Sequence, residues 1–143
     1  MILPDVNVLV YAFRREATRH EDYAAWLAEA VAGEEEIALH DPSLLGFVRI
    51  VTNHRIVPTP APTALALEFV TRLRTARRSR WLPAGPASWN RLCALADRDR
   101  GIAGNLVPDA HLAAVALVHG CRLATADRGF ARFPGLDWFD PAA

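Results

Sequence analysis

Short apolar runs that end in an acid alternate with longer segments of helical period along this chain. "MILPD" (1–5) reads as a strand closed by a carboxylate, and "VNVLVYAF" continues apolar as a first helix that leads into the charged turn "RREATRHED". In "YAAWLAEAVAG", Tyr23, Trp26, Leu27 and Ala30 recur at i, i+3, i+4, i+7, one face of a helix that Gly33 closes. "EIALHD" is a second short strand. "DPSLLGFVRIVTN" predicts a helix with Asp41 as N-cap and Pro42 as its first residue. The turn-rich "VPTPAP" leads to "TALALEFVTRLRTARR", a helix whose C-terminal end is basic, the sign its dipole favours. "RWLPAG" reads as a strand, "PASWNRLCALADRDRG" as a helix, "CRLATAD" as a strand with its acid at the far end, and "LDWFD" as a last edge strand.

Residues 105–120, "NLVPDAHLAAVALVHG", pose the sharpest question. After Asp109, the ten residues to His119 are apolar except His111 and His119, so the helix should be buried almost all round. A carboxylate in its first turn then needs a partner for its charge.

Strands alternating with helices predict an α/β fold, with a short, mainly parallel central sheet flanked by helices. At 143 residues the chain has room for one domain with one core, residues 1–143. No repeat, low-complexity tract or linker interrupts it.

Composition narrows the classes. No apolar run reaches the ~18–20 residues of a membrane span. The N-terminus has neither a basic region nor a small-residue cleavage site, so no signal peptide is expected. Cys93 and Cys121 form no CxxC pair, which fits a reduced, cytoplasmic setting. Formal net charge is zero but unevenly spread. Residues 1–48 carry nine acids against three arginines, residues 49–100 ten arginines against three acids, and residues 101–143 four acids against three arginines. All sixteen basic residues are arginine. Without lysine, a P-loop is excluded.

In open α/β sheets ligands bind beyond the carboxyl ends of the strands. Asp5 and Asp127 close strands there, and Asp109 starts the helix just before the second of them. Asn7 follows Asp5 by two and Thr125 precedes Asp127 by two, spacings that can aim each pair the same way. Each acid alone also fits a turn or a helix-dipole partner. Together they make a pocket of acids and neutral oxygens. Converging carboxylates raise one another's pKa unless a cation neutralises them. Hard oxygen donors suit Mg²⁺ or Mn²⁺. Zinc fits poorly, since no two of the five histidines stand as HxH or HxxxH. The positive end of the helix near Pro108 should help keep Asp109 ionised.

With these residues in place the chain resembles a PIN-domain ribonuclease, and more narrowly a VapC-type toxin. The resemblance rests on "LPDVNVLVYAF", "GNLVPDAHLAAVALVHG" and "LATADRGFARFPGL", in the expected order at both ends of the chain. It implies a metal-dependent endoribonuclease, with Asp5, Asp109 and Asp127 as catalytic and metal-holding acids and Asn7 and Thr125 in support. The family's remaining acid is usually a Glu early in the helix after the second strand. Here Gly46 or its neighbours stand in that place and no Glu is present. Asp41 is the nearest substitute. The resemblance further implies a VapB-type antitoxin as partner, a homodimer, and tRNA, rRNA or mRNA as substrate.

Arg72, Arg74, Arg77, Arg78 and Arg80, with Trp81, could grip RNA by bidentate phosphate contacts and base stacking, or form a solvated helix end. The face of Tyr23, Trp26, Leu27 and Ala30 is either core or a groove for an antitoxin segment, which could also place an arginine in the acid pocket. A phosphatase of the haloacid dehalogenase type also sets acids at strand ends, but that resemblance demands a lysine, as does a receiver domain. A PIN-like domain that only binds RNA or protein, its catalysis lapsed, is the other alternative.

Overall fold

The computed structural model describes residues 1–83 and 85–143. Its strands are β1 (Ile2–Pro4), β2 (Ile37–Leu39), β3 (Ser79–Trp81), β4 (Arg122–Ala124) and β5 (Trp138–Phe139). They form one sheet of order β3-β2-β1-β4-β5, and every pairing is parallel. The helices are α1 (Val6–Phe13), α2 (His20–Ala32), α3 (Asp41–Val51), α4 (Thr63–Arg74), α5 (Pro86–Arg98) and α6 (Leu106–His119). A 3₁₀ turn spans Arg128–Arg132.

Alternation along the short strands divides the core in two. Leu3, Ala38 and Leu123 pack with Leu92 and Leu95 of α5, the buried alanines of α6, Phe130 and Phe133. Their neighbours Ile2, Ile37 and Ala124 turn the other way, toward Trp26 and Ala30 of α2. Beyond them α1 to α4 pack around Leu9, Phe47, Val51 and Leu73. Residues 110 and 112–116 of α6 are buried, as its near-continuous apolar sequence demands, while its first turn reaches the surface.

Several boundaries differ from the sequence expectation. α2 begins at His20, three residues before its apolar stripe, because Glu21 and Asp22 suit a first turn. α4 stops at Arg74, and Thr75–Arg78 turn into β3. The strand expected over "RWLPAG" lies earlier, at Ser79–Trp81, and Ala84 of that stretch is outside the described residues. Asp41 is the first residue of α3, and the N-cap position falls to His40.

The order of the sheet places the site. The chain runs outward from β1 through β2 to β3, then returns to β4 on the opposite side of β1. The connections leaving β1 and β4 therefore diverge, and a crevice opens beyond their carboxyl ends.

Candidate active site

Asp5 follows β1 directly and caps α1. Its Oδ1 accepts from the Val6 amide at 2.7 Å. Its Oδ2 accepts from Thr125 Oγ1 at 2.7 Å and from Asn7 Nδ2 at 3.1 Å. Thr125, fully buried just past β4, is the hub: its hydroxyl also accepts from Asn7 Nδ2 (3.3 Å) and from the Asp127 amide (3.0 Å). Asn7 Oδ1 accepts from the Ala126 amide at 3.2 Å. The first helix and the loop after β4 are thus bolted together by polar groups. Asp127 Oδ1 accepts from the Gly129 amide at 2.8 Å, capping the 3₁₀ turn.

Asp109 enters from the first turn of α6. It lines one open cleft of about 760 Å³ together with Asp5, Asn7 and Asp127. Burial grades across the three acids: Asp5 is 7% exposed, Asp109 half-buried and Asp127 exposed. Burial, followed by the charges of Asp5 and Asp127, pushes the Asp109 carboxyl up to about 6. Burial also raises Asp5, and the charge of Asp127 adds to it, against the lowering pull of the Thr125, Val6 and Asn7 donors. Burial and two like charges thus work against the positive end of α6, and with its carboxyl at about 6 Asp109 still carries its charge at pH 7.

Among the described residues, no three His, Cys, Asp or Glu side chains are drawn together closely enough to hold an ion as they stand. Their like charges repel, and Asp5 and Asp127 are held by hydrogen bonds to the protein. The chemistry of the donor set still fits a hard divalent cation. Three carboxylates open into one cleft whose lining cations, among the described residues, are Arg14 and Arg49, and Arg14 is paired with Glu16 at 3.1 Å.

α3 supplies no fourth acid. It faces the cleft with Pro42, Leu45, Gly46, Arg49 and Ile50. A Cβ on Gly46 would meet Val6 Cγ2 at 3.2 Å, so the close approach of α3 to α1 favours glycine there. Asp41 is exposed and lines neither this cleft nor the neighbouring one, so it does not join Asp5, Asp109 and Asp127.

The arginine run lies elsewhere. Arg77 pairs with Glu34 at 2.9 Å, Arg78 Nε donates to the Glu34 carbonyl and Arg80 pairs with Glu36 at 3.4 Å. Arg77, Arg78, Glu34 and Glu36 all precede strands of a parallel sheet. They occupy its amino edge, opposite the acids. Arg72 and Arg74 are in the last turn of α4, where Arg72 lines a different groove. The residues that do share the acid cleft, Arg14 and Arg49, carry no distinctive sequence pattern.

The face of Tyr23, Trp26, Leu27 and Ala30 is core: Tyr23 and Leu27 are buried and Trp26 meets Phe139 edge-on. One position along, Ala24, Leu27, Ala28 and Val31 repeat the same spacing and wall a groove of about 810 Å³. Phe13, Leu65 and Phe69 complete it, with Arg14, Arg15 and Arg72 at hand.

A family model for the PIN domain matches residues 2–136. The chain belongs to the PIN-domain family. Its relatives within it include ribonuclease VapC43 of Mycobacterium tuberculosis, 40% identical over 141 residues, covering 99% of this chain and 95% of the relative. Ribonuclease VapC33 of the same organism is 36% identical over 141 residues, with 99% and 98% covered. Among solved structures, VapBC2 from Rickettsia felis, bound to a DNA fragment from its promoter, superposes with a TM-score of 0.71 over 98% of both chains at 18% identity. VapBC-1 from nontypeable Haemophilus influenzae gives 0.68 over the whole of both chains at 16% identity. At such identities these two establish the PIN fold. No helix among the described residues is long and apolar enough to cross a membrane.

Proposed function

We propose that this PIN-domain protein is a divalent-metal-dependent endoribonuclease, the toxin of a VapBC-type pair acting in the cytoplasm. The observation that carries the reading is the meeting of Asp5, Asp109 and Asp127 at one cleft, with Asp109 raised to about 6 by burial and by its like-charged neighbours. Near-full-length relatives named as ribonucleases support it. In this reading Asp5, Asp109 and Asp127 hold Mg²⁺ or Mn²⁺. The ion, when bound, supplies a water of lowered pKa and neutralises charge on the scissile phosphate. Thr125 and Asn7 hold the Asp5 Oδ2, leaving Oδ1, which accepts only from the Val6 amide, with a lone pair for the ion. Arg49 stands where it can take a phosphate oxygen of the RNA.

The groove between α2 and α4 is the seat we assign to an antitoxin segment. It is largely apolar, and Arg15 and Arg72 in its lining suit an acidic partner. Structural neighbours described as VapBC assemblies support such a partner, and a homodimer is expected with it.

The missing α3 carboxylate favours a second reading, a lapsed domain that only binds RNA or protein. Incubating the protein with total RNA and Mg²⁺ or Mn²⁺, against EDTA, separates the two. Discrete metal-dependent fragments establish the nuclease; intact RNA at saturating Mn²⁺ establishes the binder.

A further inference from the structure

Behind Asp5 and Asp109 lies a second cleft, of about 310 Å³, that shares both acids with the first. Its walls are mostly apolar and aromatic. Trp89 of α5 meets His111 of α6 at a tilt of 51° with ring centroids 5.6 Å apart, and His111 lies against His40 at 5.7 Å with planes 30° apart. Leu92 and Pro42 close the sides, and Ser43 lies within.

Two features set this cleft apart from ordinary packing. Trp89 is 61% exposed, although a tryptophan has a large apolar surface to bury. It sits one position past the buried stripe Ser88, Leu92 and Leu95, so the helix needs no aromatic there for its core. The polar groups are also unengaged. Among the described residues, neither the Ser43 hydroxyl nor the ring nitrogens of His40 and His111 hydrogen-bond to protein, and no buried side-chain N or O is left stranded. His40 and Ser43 are only 8% and 5% exposed, and both line this cleft, so the little access they keep is to whatever occupies it.

We propose that the cleft takes one unpaired RNA base beside the scissile phosphate, stacked on the exposed face of Trp89, with His111, Ser43 and His40 around its edge. The inference rests on the nuclease reading for its biological sense, since the shared acids put the cleft beside the phosphate they would handle. Its size is at the lower end of the ~300–1,000 Å³ typical of small-ligand pockets, which admits a base and excludes a duplex or a helix. Aromatic faces bind unpaired bases, and hydroxyl and imidazole groups distinguish their edges. Trp89 and Ser43 thus become specificity determinants.

The test measures binding of fluorescein-labelled single-stranded oligoadenylate and oligouridylate in EDTA, so that cleavage is not required. Trp89→Ala should weaken binding roughly five- to 150-fold, the range found when one stacking aromatic is removed. Trp89→Phe should retain most of it, and Ser43→Ala should change the ratio of the two affinities. A strand with a single abasic nucleotide at the bound position should bind wild type and Trp89→Ala alike. Mn²⁺ affinity and thermal melting should not move in Trp89→Ala, because the side chain is exposed. Unchanged RNA binding by Trp89→Ala overturns the proposal, as does an equal loss on intact and abasic strands. Failure of the wild type to cut RNA with metal present would sink the nuclease reading alone, leaving the base pocket to stand or fall on these affinities.

Discussion

Thr125 Oγ1 donates to Asp5 Oδ2 across 2.7 Å, joining residues 120 positions apart inside the protein. Asp5 is buried, and this donor, with the Val6 amide and Asn7, is what opposes the upward drive of burial on its pKa. The same hydroxyl accepts from Asn7 and from the Asp127 amide, so one side chain orients both ends of the acid site.

Thr125→Val keeps the shape and removes the donor. A buried carboxylate that loses a hydrogen-bond partner costs ~1–3 kcal/mol. Urea unfolding at pH 7 should show a loss of that order, whereas Thr125→Ser should lose less than half as much. Equal stability of the valine variant and wild type would show that Asp5 finds its support elsewhere.

Asp109 gives a pH signature. Its folded pKa of about 6 lies above the ordinary 3.8, so the folded state binds this proton more tightly than the unfolded chain. The stabilisation is complete below about pH 4 and is lost as pH rises through 6. At pH 7 the metal-free protein carries a penalty of ~1–2 kcal/mol, discounted because the group is half-exposed. Asp109→Asn should therefore be more stable than wild type at pH 7, with the gap closing toward pH 4. Mn²⁺ should raise the wild-type melting temperature at pH 7 and do much less for the variant. A pH-independent gap between the two proteins would refute the coupling.

Much of this site is legible in the sequence because it depends on local rules. An acid after a short apolar strand is placed by the parallel sheet, and the i, i+2 partners Asn7 and Thr125 follow the chain. What the sequence hides is placement across the sheet. Arg77, Arg78 and Arg80 look like a nucleic-acid patch, yet Arg77 and Arg78 lie at the amino edge of the sheet beside Glu34, and Arg80, within β3, pairs with Glu36. Arg49, Trp89 and His40 are unremarkable in sequence, and only the packing of α3, α5 and α6 brings them to the acids. The shift of one residue between the core stripe of α2 and its groove face is equally invisible, since both obey the same spacing.

Asp127→Asn separates charge from structure. Asparagine keeps the Oδ1 acceptor for the Gly129 amide, and the backbone bond to Thr125 is untouched. At this exposed position stability should stay within ~0.5 kcal/mol. If Asp127 holds the metal as proposed, RNA cleavage should fall by more than the ~10–100-fold that removal of a mere supporting group costs. Isothermal titration with Mn²⁺ should show weakened binding in parallel. Wild-type cleavage by a folded variant would remove Asp127 from the site.

The arginines yield the last prediction, and it turns on geometry. Removing one cation that grips a phosphate should lower the slope of log affinity against log salt by ~0.7 on single-stranded RNA. Arg49 lines the acid cleft and no carboxylate lies within ion-pair distance of it among the described residues, so Arg49→Ala should reduce that slope and weaken binding at low salt. Arg77 and Arg78 are engaged at the opposite edge, so the Arg77→Ala/Arg78→Ala double variant should leave the slope unchanged. It should lose only the exposed Arg77–Glu34 pair, ~0–1 kcal/mol, and the Arg78 bond to the Glu34 carbonyl, ~1 kcal/mol. The charge run at 72–80 and the lone Arg49 make opposite predictions for the same titration. If the double variant flattens the salt dependence and Arg49→Ala does not, RNA enters across the amino edge of the sheet, and a path over α3 to the acid cleft is wrong.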